Sequence, residues 1–447
     1  MLFDDTSEEY SSATRPHTST TPQHPARVAV IREPADIPAA LAEVADLERA
    51  TGRKLDVVVQ ATGHGAGAVV DDGSVIFDTS GLAAISIDPD ARVATVGAGA
   101  TWAAVNAAAE PHGLMGLAGS APSVSVSGYT FGGGIGWLVR RDGMASGGLR
   151  RVHYVDGRGR SRTAADDAVD EVDRDAIWAF RGAGGVGIAH TLELDLVPVD
   201  DLYAGTLLWH ADALPGLVAA WKARIERVGP SVSTSISVMH VPPAPPFPEE
   251  LRGSTAILLA VADPDGADGA APLLDAMRAV ATPVLDDWGT KDAVGLSRIH
   301  LDPPGPTPAV GDARWLDASA PDIVEPVLAA AAADGSPLVM VEFRHLADAP
   351  AGRDGAMVAP PGPFIYHAVG SVQVADREAV DAALDALKPV WAPADTGYTQ
   401  GSWIEGAADV PGALRDDVLW RARAVADEVD PDRRIRRSRL LGDVDGR

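Results

Sequence analysis

Residues 55–67 read Leu55-Asp56-Val57-Val58-Val59-Gln60-Ala61-Thr62-Gly63-His64-Gly65-Ala66-Gly67. The apolar, β-branched run LDVVVQ predicts a buried strand, and the three glycines after it predict a turn. His64 stands between two residues without side chains, so its ring is not walled in by its neighbours.

Towards the N-terminus, Val28–Ile31 predicts a strand, and Ile37, Leu41, Val44 and Leu47 recur at helical spacing until Gly52. Residues 1–27, rich in Ser, Thr and Pro, are expected to form an extended arm without a core of its own. On the other side come strands at Ser74–Asp78, Ala84–Ile87 and Val93–Val96 and a helix from Thr101 to Ala109. A Gly-, Ser- and Pro-rich stretch from Leu117 to Trp137 follows, then a hairpin from Val152 to Thr163 and a strand from Thr191 to Val197.

Beyond it, strands near Tyr203–Trp209, Ser231–Val241, Ser254–Ala262, Leu338–Phe343 and Phe364–Val374 are interrupted by helices near 212–227, 271–280, 319–334 and 376–389. This order predicts an α+β protein whose second domain is a mostly antiparallel sheet backed by helices.

Composition narrows the chemistry. The 447 residues include 37 basic and 63 acidic side chains, a net charge of −26 that repels nucleic acid and anionic membrane. There is no cysteine, which excludes disulfides, thiolate metal sites and cysteine nucleophiles. The acidic N-terminus lacks a signal-like apolar run and no stretch is long enough to span a membrane, so a soluble, cytoplasmic protein is expected. No histidine pair has an established ligand spacing, and no metal is expected.

Two segments match the dinucleotide pattern G-x-G-x-x-G only superficially. Gly182, Gly184 and Gly187 lead into a strand rather than a helix, and at Gly97-Ala98-Gly99 the third position is Trp102. The chain carries instead several separate glycine turns, able together to line a long phosphate-bearing cofactor.

In their order, VVVQATGHGAG (57–67), VIFDTSGLAAISIDPDARVATVGAGATWAAVNAAAEPHGL (75–114), GSAPSVSVSGYTFGGGIGWLVRRDGM (119–144) and AIWAFRGAGGVGIAHTLELDLVPV (176–199) resemble the vanillyl-alcohol oxidase and p-cresol methylhydroxylase superfamily. The likeness is greatest to its berberine-bridge-enzyme-like branch. The resemblance implies a two-part FAD-binding domain of the p-cresol methylhydroxylase type, residues 28–199 and 396–447, around a substrate domain, 200–395, with the arm at 1–27.

It also implies roles. His64 matches the histidine joined to the 8-methyl carbon of FAD, although Gln60–Thr62 and Gly65 depart from the usual residues. A second, cysteinyl link is impossible because Ala121 stands at the matching position. Gly63, Gly65, Gly67, Gly119, Ser120, Ala121, Ser123, Val124, Gly128, Tyr129, Gly133, Gly134, Gly187 and Ile188 are the expected cofactor-binding positions. Near Val186 one residue of the family pattern is missing.

Tyr398-Thr399-Gln400 resembles the motif whose tyrosine lies beside flavin N5, which makes Tyr398 the expected proton acceptor, with Gln400 beside it and Tyr366 as the alternative base. A phenol whose pKa is near 10 would need help to act at pH 7. His300, Trp315, Glu342, Tyr366 and His367 are candidates for the substrate pocket.

The expected function is oxidation of a small alcohol, sugar or natural-product intermediate, its hydride passing to FAD held by one covalent link through His64, with oxygen as the final acceptor. The alternatives are a dehydrogenase of the same fold using another acceptor, and a flavin-free binding protein.

Overall fold

The structure is a computed structural model describing residues 1–303 and 305–442. Its first lobe opens with parallel strands Arg27–Val30, Ser74–Asp78 and Asp56–Gln60, side by side in that order. The helix Asp36–Thr51 buries Ile37, Ala40, Leu41 and Val44, the residues whose spacing predicts it. It stops at Gly52, where a φ of 69° turns the N–H back onto the Glu48 carbonyl.

A second, antiparallel sheet follows in the order Ile85–Asp88, Val93–Gly97, Ile188–Asp195, Leu149–Val155, Ser161–Ala165. The second lobe is an 8-stranded antiparallel sheet in which Tyr203–His210, Thr255–Asp263, Ser233–His240, Leu338–His345, Phe364–Ser371 and Ala309–Leu316 lie consecutively.

Alternation along these strands divides the side chains between two interiors. Ile236, Leu259, Val341, Phe343 and Tyr366 face the helices Leu214–Arg224, Ala271–Val280, Val324–Ala331 and Arg377–Trp391. Leu258, Ala260, Trp315 and Ile365 face the first lobe, where Trp137 and Leu138 meet them.

The C-terminal segment returns to the first lobe. The Val57 N–H donates to the Arg434 carbonyl and the Arg436 N–H to that of Val57, both at 2.8 Å, so this segment lines the free edge of strand Asp56–Gln60.

The arm differs from its expectation. Leu2–Phe3 pairs with Arg27–Val30, and Glu8–Ala13 forms a helix capped by Ser7 whose Tyr10 and Ala13 are buried with Val28, Val70 and Ile76. Tyr10 and Ala13 are its only apolar anchors, too few to show as periodicity. Three further elements had no clear sequence signal: the helices Glu171–Phe180 and Asp416–Val429 and the strand Ala309–Leu316.

Candidate active site

Strand Asp56–Gln60 ends in a turn that Gly63 makes possible, its φ of 71° lying in the left-handed region. Two of the residues here that depart from the expected pattern, Gln60 and Thr62, have structural roles. Gln60 exchanges a side-chain hydrogen bond with Gln23 at 2.8 Å and donates to the Ala13 carbonyl at 2.9 Å, and the Thr62 hydroxyl accepts from the Ser125 N–H at 3.2 Å.

His64 at the turn's crest is half-buried, with Nε2 3.0 Å from Ser123 Oγ. Burial and the neighbouring His17 push its pKa down to about 3, so the ring is neutral at physiological pH.

Gly65 and Gly128 are exposed, and a methyl group on either would meet nothing closer than 3.5 Å. Ser120, Ala121, Ser123 and Val124 are half-buried. Of these, Ser123 is the residue whose hydroxyl meets the His64 ring.

Other expected contact positions are closed. The Tyr129 ring fills the space in front of Gly119 and Gly134, 2.8 and 2.6 Å from where their Cβ atoms would stand, and packs edge-on against Trp102. Tyr129 is therefore part of the core, its hydroxyl pKa pushed up by burial, and its ring takes the space that a side chain on either glycine would need. Gly187 faces Tyr154 and Ile188 is fully buried in its strand. Gly133 is covered by Met144 and Met357. Gly67 lies against the Ala407 backbone, joining the turn to the C-terminal segment.

Gln400 is fully buried, and its Nε2 donates to the Gly132 carbonyl at 2.9 Å, tying the C-terminal segment to the glycine run. Tyr398 is half-buried two residues earlier, and its carbonyl accepts from the Trp315 N–H at 2.9 Å. Tyr366 must be withdrawn as a base. It lies on the helix face of the sheet against Phe343 and Trp391, with burial raising its pKa, while its neighbour His367 points to the first lobe.

The inward face carries a buried ionic network that sequence reasoning recovered only in part. His300 donates to Asp302 at 2.6 Å and to Glu342 at 3.1 Å, and Glu342 also holds Arg344 at 2.9 Å. The Arg344 guanidinium lies 4.1 Å from the Trp137 ring centre and 4.7 Å from that of Trp403.

Burial opposes the charges of His300, Asp302 and Glu342, but the pairing overcomes it: His300 is held protonated, and Asp302 and Glu342 are held ionised. His367, 3.3 Å from Glu405, has its pKa raised the same way. Arg344, Trp137, Trp403 and Glu405 were missed. Two-residue alternation from Glu342 would have found Arg344, but nothing local brings in the other three.

Comparison with known proteins bears on the fold. The FAD binding domain family matches residues 26–165. Berberine bridge enzyme-like D-1 of Nicotiana tabacum is 32% identical over 192 residues, which is 40% of this chain and 28% of that protein's length. The Physcomitrella patens BBE-like 1 structure superposes with a TM-score of 0.81 at 17% identity, covering 99% of this chain and 97% of the other. Residues 26–165 are an FAD-binding domain, and the chain has the berberine-bridge-enzyme-like fold.

A glucooligosaccharide oxidase from Acremonium strictum, described with 6-S-cysteinyl, 8α-N1-histidyl FAD, superposes at 0.79 with 14% identity over 99% and 96% of the two chains. Among the described residues no helix is long and apolar enough to cross a membrane, and no cluster of His, Asp and Glu could hold a metal ion.

Proposed function

We propose that this chain is an FAD-dependent oxidase that takes hydride from a small organic substrate and carries its flavin on a single covalent bond to His64. The observation that carries the reading is the neutral, half-buried His64 ring on a glycine turn within an FAD-binding domain.

The residues fit the group. Gly65 and Gly128 leave room for a cofactor's backbone, Ser120 and Ser123 offer hydroxyls beside it, and the carbonyl oxygen of the Gln400 side chain is buried without a partner. FAD bound here supplies a two-electron acceptor that dioxygen can regenerate.

The protein supplies position and proton handling. Gln400 fixes the Gly132 turn, and Tyr398 on the same segment takes the substrate's O–H or N–H proton. The network of His300, Asp302, Glu342 and Arg344 gives the second lobe a floor whose charges are already paired, so a neutral polar substrate meets no uncompensated ion. A sugar, an alcohol or a natural-product intermediate suits that floor.

The test has two parts. Acid-precipitated protein should stay yellow and gain the mass of one FAD, whereas flavin released to the supernatant would refute the covalent link. A panel of mono- and oligosaccharides, aromatic alcohols and cyclic amines should yield hydrogen peroxide with one class, while substrate-dependent flavin reduction without peroxide would indicate a dehydrogenase.

A further inference from the structure

His17 has no part in the function proposed above, yet its ring stacks on that of His64, the centres 3.6 Å apart and the planes at 15°. The contact is one of a continuous set. The His17 N–H donates to the Thr62 carbonyl and the Thr18 N–H to that of Gly63, both at 3.1 Å, and the Thr18 hydroxyl donates to the His64 carbonyl at 2.7 Å. The Thr21 hydroxyl donates to the Gly67 carbonyl at 3.0 Å, and Pro16 covers the face of Gly63. The other edge of the same segment is held by the second lobe, through Ser19 to Thr307 at 3.0 Å, Thr307 to His17 at 2.8 Å and Thr20 to Ala309.

A turn with glycines on both sides of its histidine has little of its own to orient the ring, and χ1 and χ2 of His64 would otherwise be free. The stack fixes the ring plane from one side, while Ser123 holds Nε2. If Nε2 keeps its hydrogen and donates it to Ser123, the lone pair is on Nδ1.

We propose that His17 is a positioning residue for attachment of the flavin, its stacked ring holding the His64 imidazole in the orientation from which it forms the covalent bond. The proposal rests on the covalent reading of His64. In the attachment a bond forms between an imidazole nitrogen and the flavin's 8-methyl carbon. That carbon loses one proton and the imidazole another, and both, with two electrons, leave on dioxygen as hydrogen peroxide. Orienting a nucleophile in this way accelerates a step without adding chemistry of its own.

The experiment follows covalent incorporation rather than turnover. Cofactor-free wild type, His17→Ala, His17→Phe and Thr18→Val are incubated with FAD in air, and bound flavin is read by fluorescence of the denatured band and by mass. His17→Ala should bind FAD but attach it at least about tenfold more slowly. His17→Phe keeps a flat ring in the stack and should recover to within about threefold of wild type. Thr18→Val, which loses one hydrogen bond to the turn, should be slowed and covers the case in which His17→Ala does not fold.

Attachment by His17→Ala at the wild-type rate would overturn the proposal, as would equal slowing in His17→Ala and His17→Phe. If His17→Ala does not fold, wild-type attachment by Thr18→Val would also overturn it. Wild type that binds FAD but releases all of it in acid would refute the covalent reading and this proposal with it. Wild type that binds no FAD would refute the flavoprotein reading itself.

Discussion

Glu342 grips two cations, His300 and Arg344, at a position with no exposed surface. Removing one partner of such an arrangement strands the others, and that costs more than the pair is worth when intact. Glu342→Ala should therefore lower unfolding stability by about 3–5 kcal/mol in urea titration, with Glu342→Gln less severe.

Tyr398→Phe tests chemistry instead. It should leave flavin loading intact and slow anaerobic flavin reduction by about 10² to 10⁴, using the substrate class the peroxide assay identifies. A structural role would cost one hydrogen bond, about 1 kcal/mol, and change the rate only severalfold. At this scale the turn after strand Asp56–Gln60 was legible from its glycines. The Tyr366 assignment failed because alternation shows that neighbouring strand residues point oppositely, but not which way each points. That is decided by which layer covers each face of the sheet.

Elements were legible where their burial was one-sided and periodic. Helix Asp36–Thr51 announces both its apolar stripe and its glycine stop. Helix Asp416–Val429 fully buries Ala422, Val425, Ala426 and Val429 and leaves Trp420 largely exposed, so its stripe is thin and its largest apolar residue misleads. Along strand Ala309–Leu316, Val310 and Leu316 face one interior while Ala313 and Trp315 face others, and Gly311, Asp312 and Arg314 interrupt both apolar stripes. The return of residues 434–436 to the first sheet could not be read locally at all. It should nonetheless matter: Arg436→Pro removes the N–H that meets the Val57 carbonyl, at a cost of about 1–3 kcal/mol. Hydrogen exchange should show protection falling along strand Asp56–Gln60 before it falls in the second lobe.

Over the whole molecule the buried ionisable groups set a pH window. His64 and His345 have pKa values lowered to about 3, so the stability tied to their neutral forms is present above about 6.5, the unfolded value, and drains away as pH falls towards 3. Asp302 and Glu342, also lowered, lose their contribution in the same acid direction as they protonate. His300 acts oppositely: its pKa is raised, so its contribution is full below about 6.5 and declines as pH climbs through the folded value, about 10. The melting temperature should peak near neutrality, and His300→Gln should flatten the alkaline side specifically. With no cysteine in the chain, thiol alkylators should leave flavin loading and activity unchanged.

The closing of the first sheet by the chain's far end also has a consequence in time. Lys54 finds the Arg433 carbonyl 379 residues downstream, next to the backbone ladder at Val57. A ribosome adding about 5–20 residues per second leaves that strand edge open for tens of seconds after its partner strands have emerged. Throughout that interval the nascent first lobe exposes unpaired N–H and C=O groups beside the glycine turn at residues 63–67, so the half-built edge needs shielding until residues 434–436 arrive to seal it.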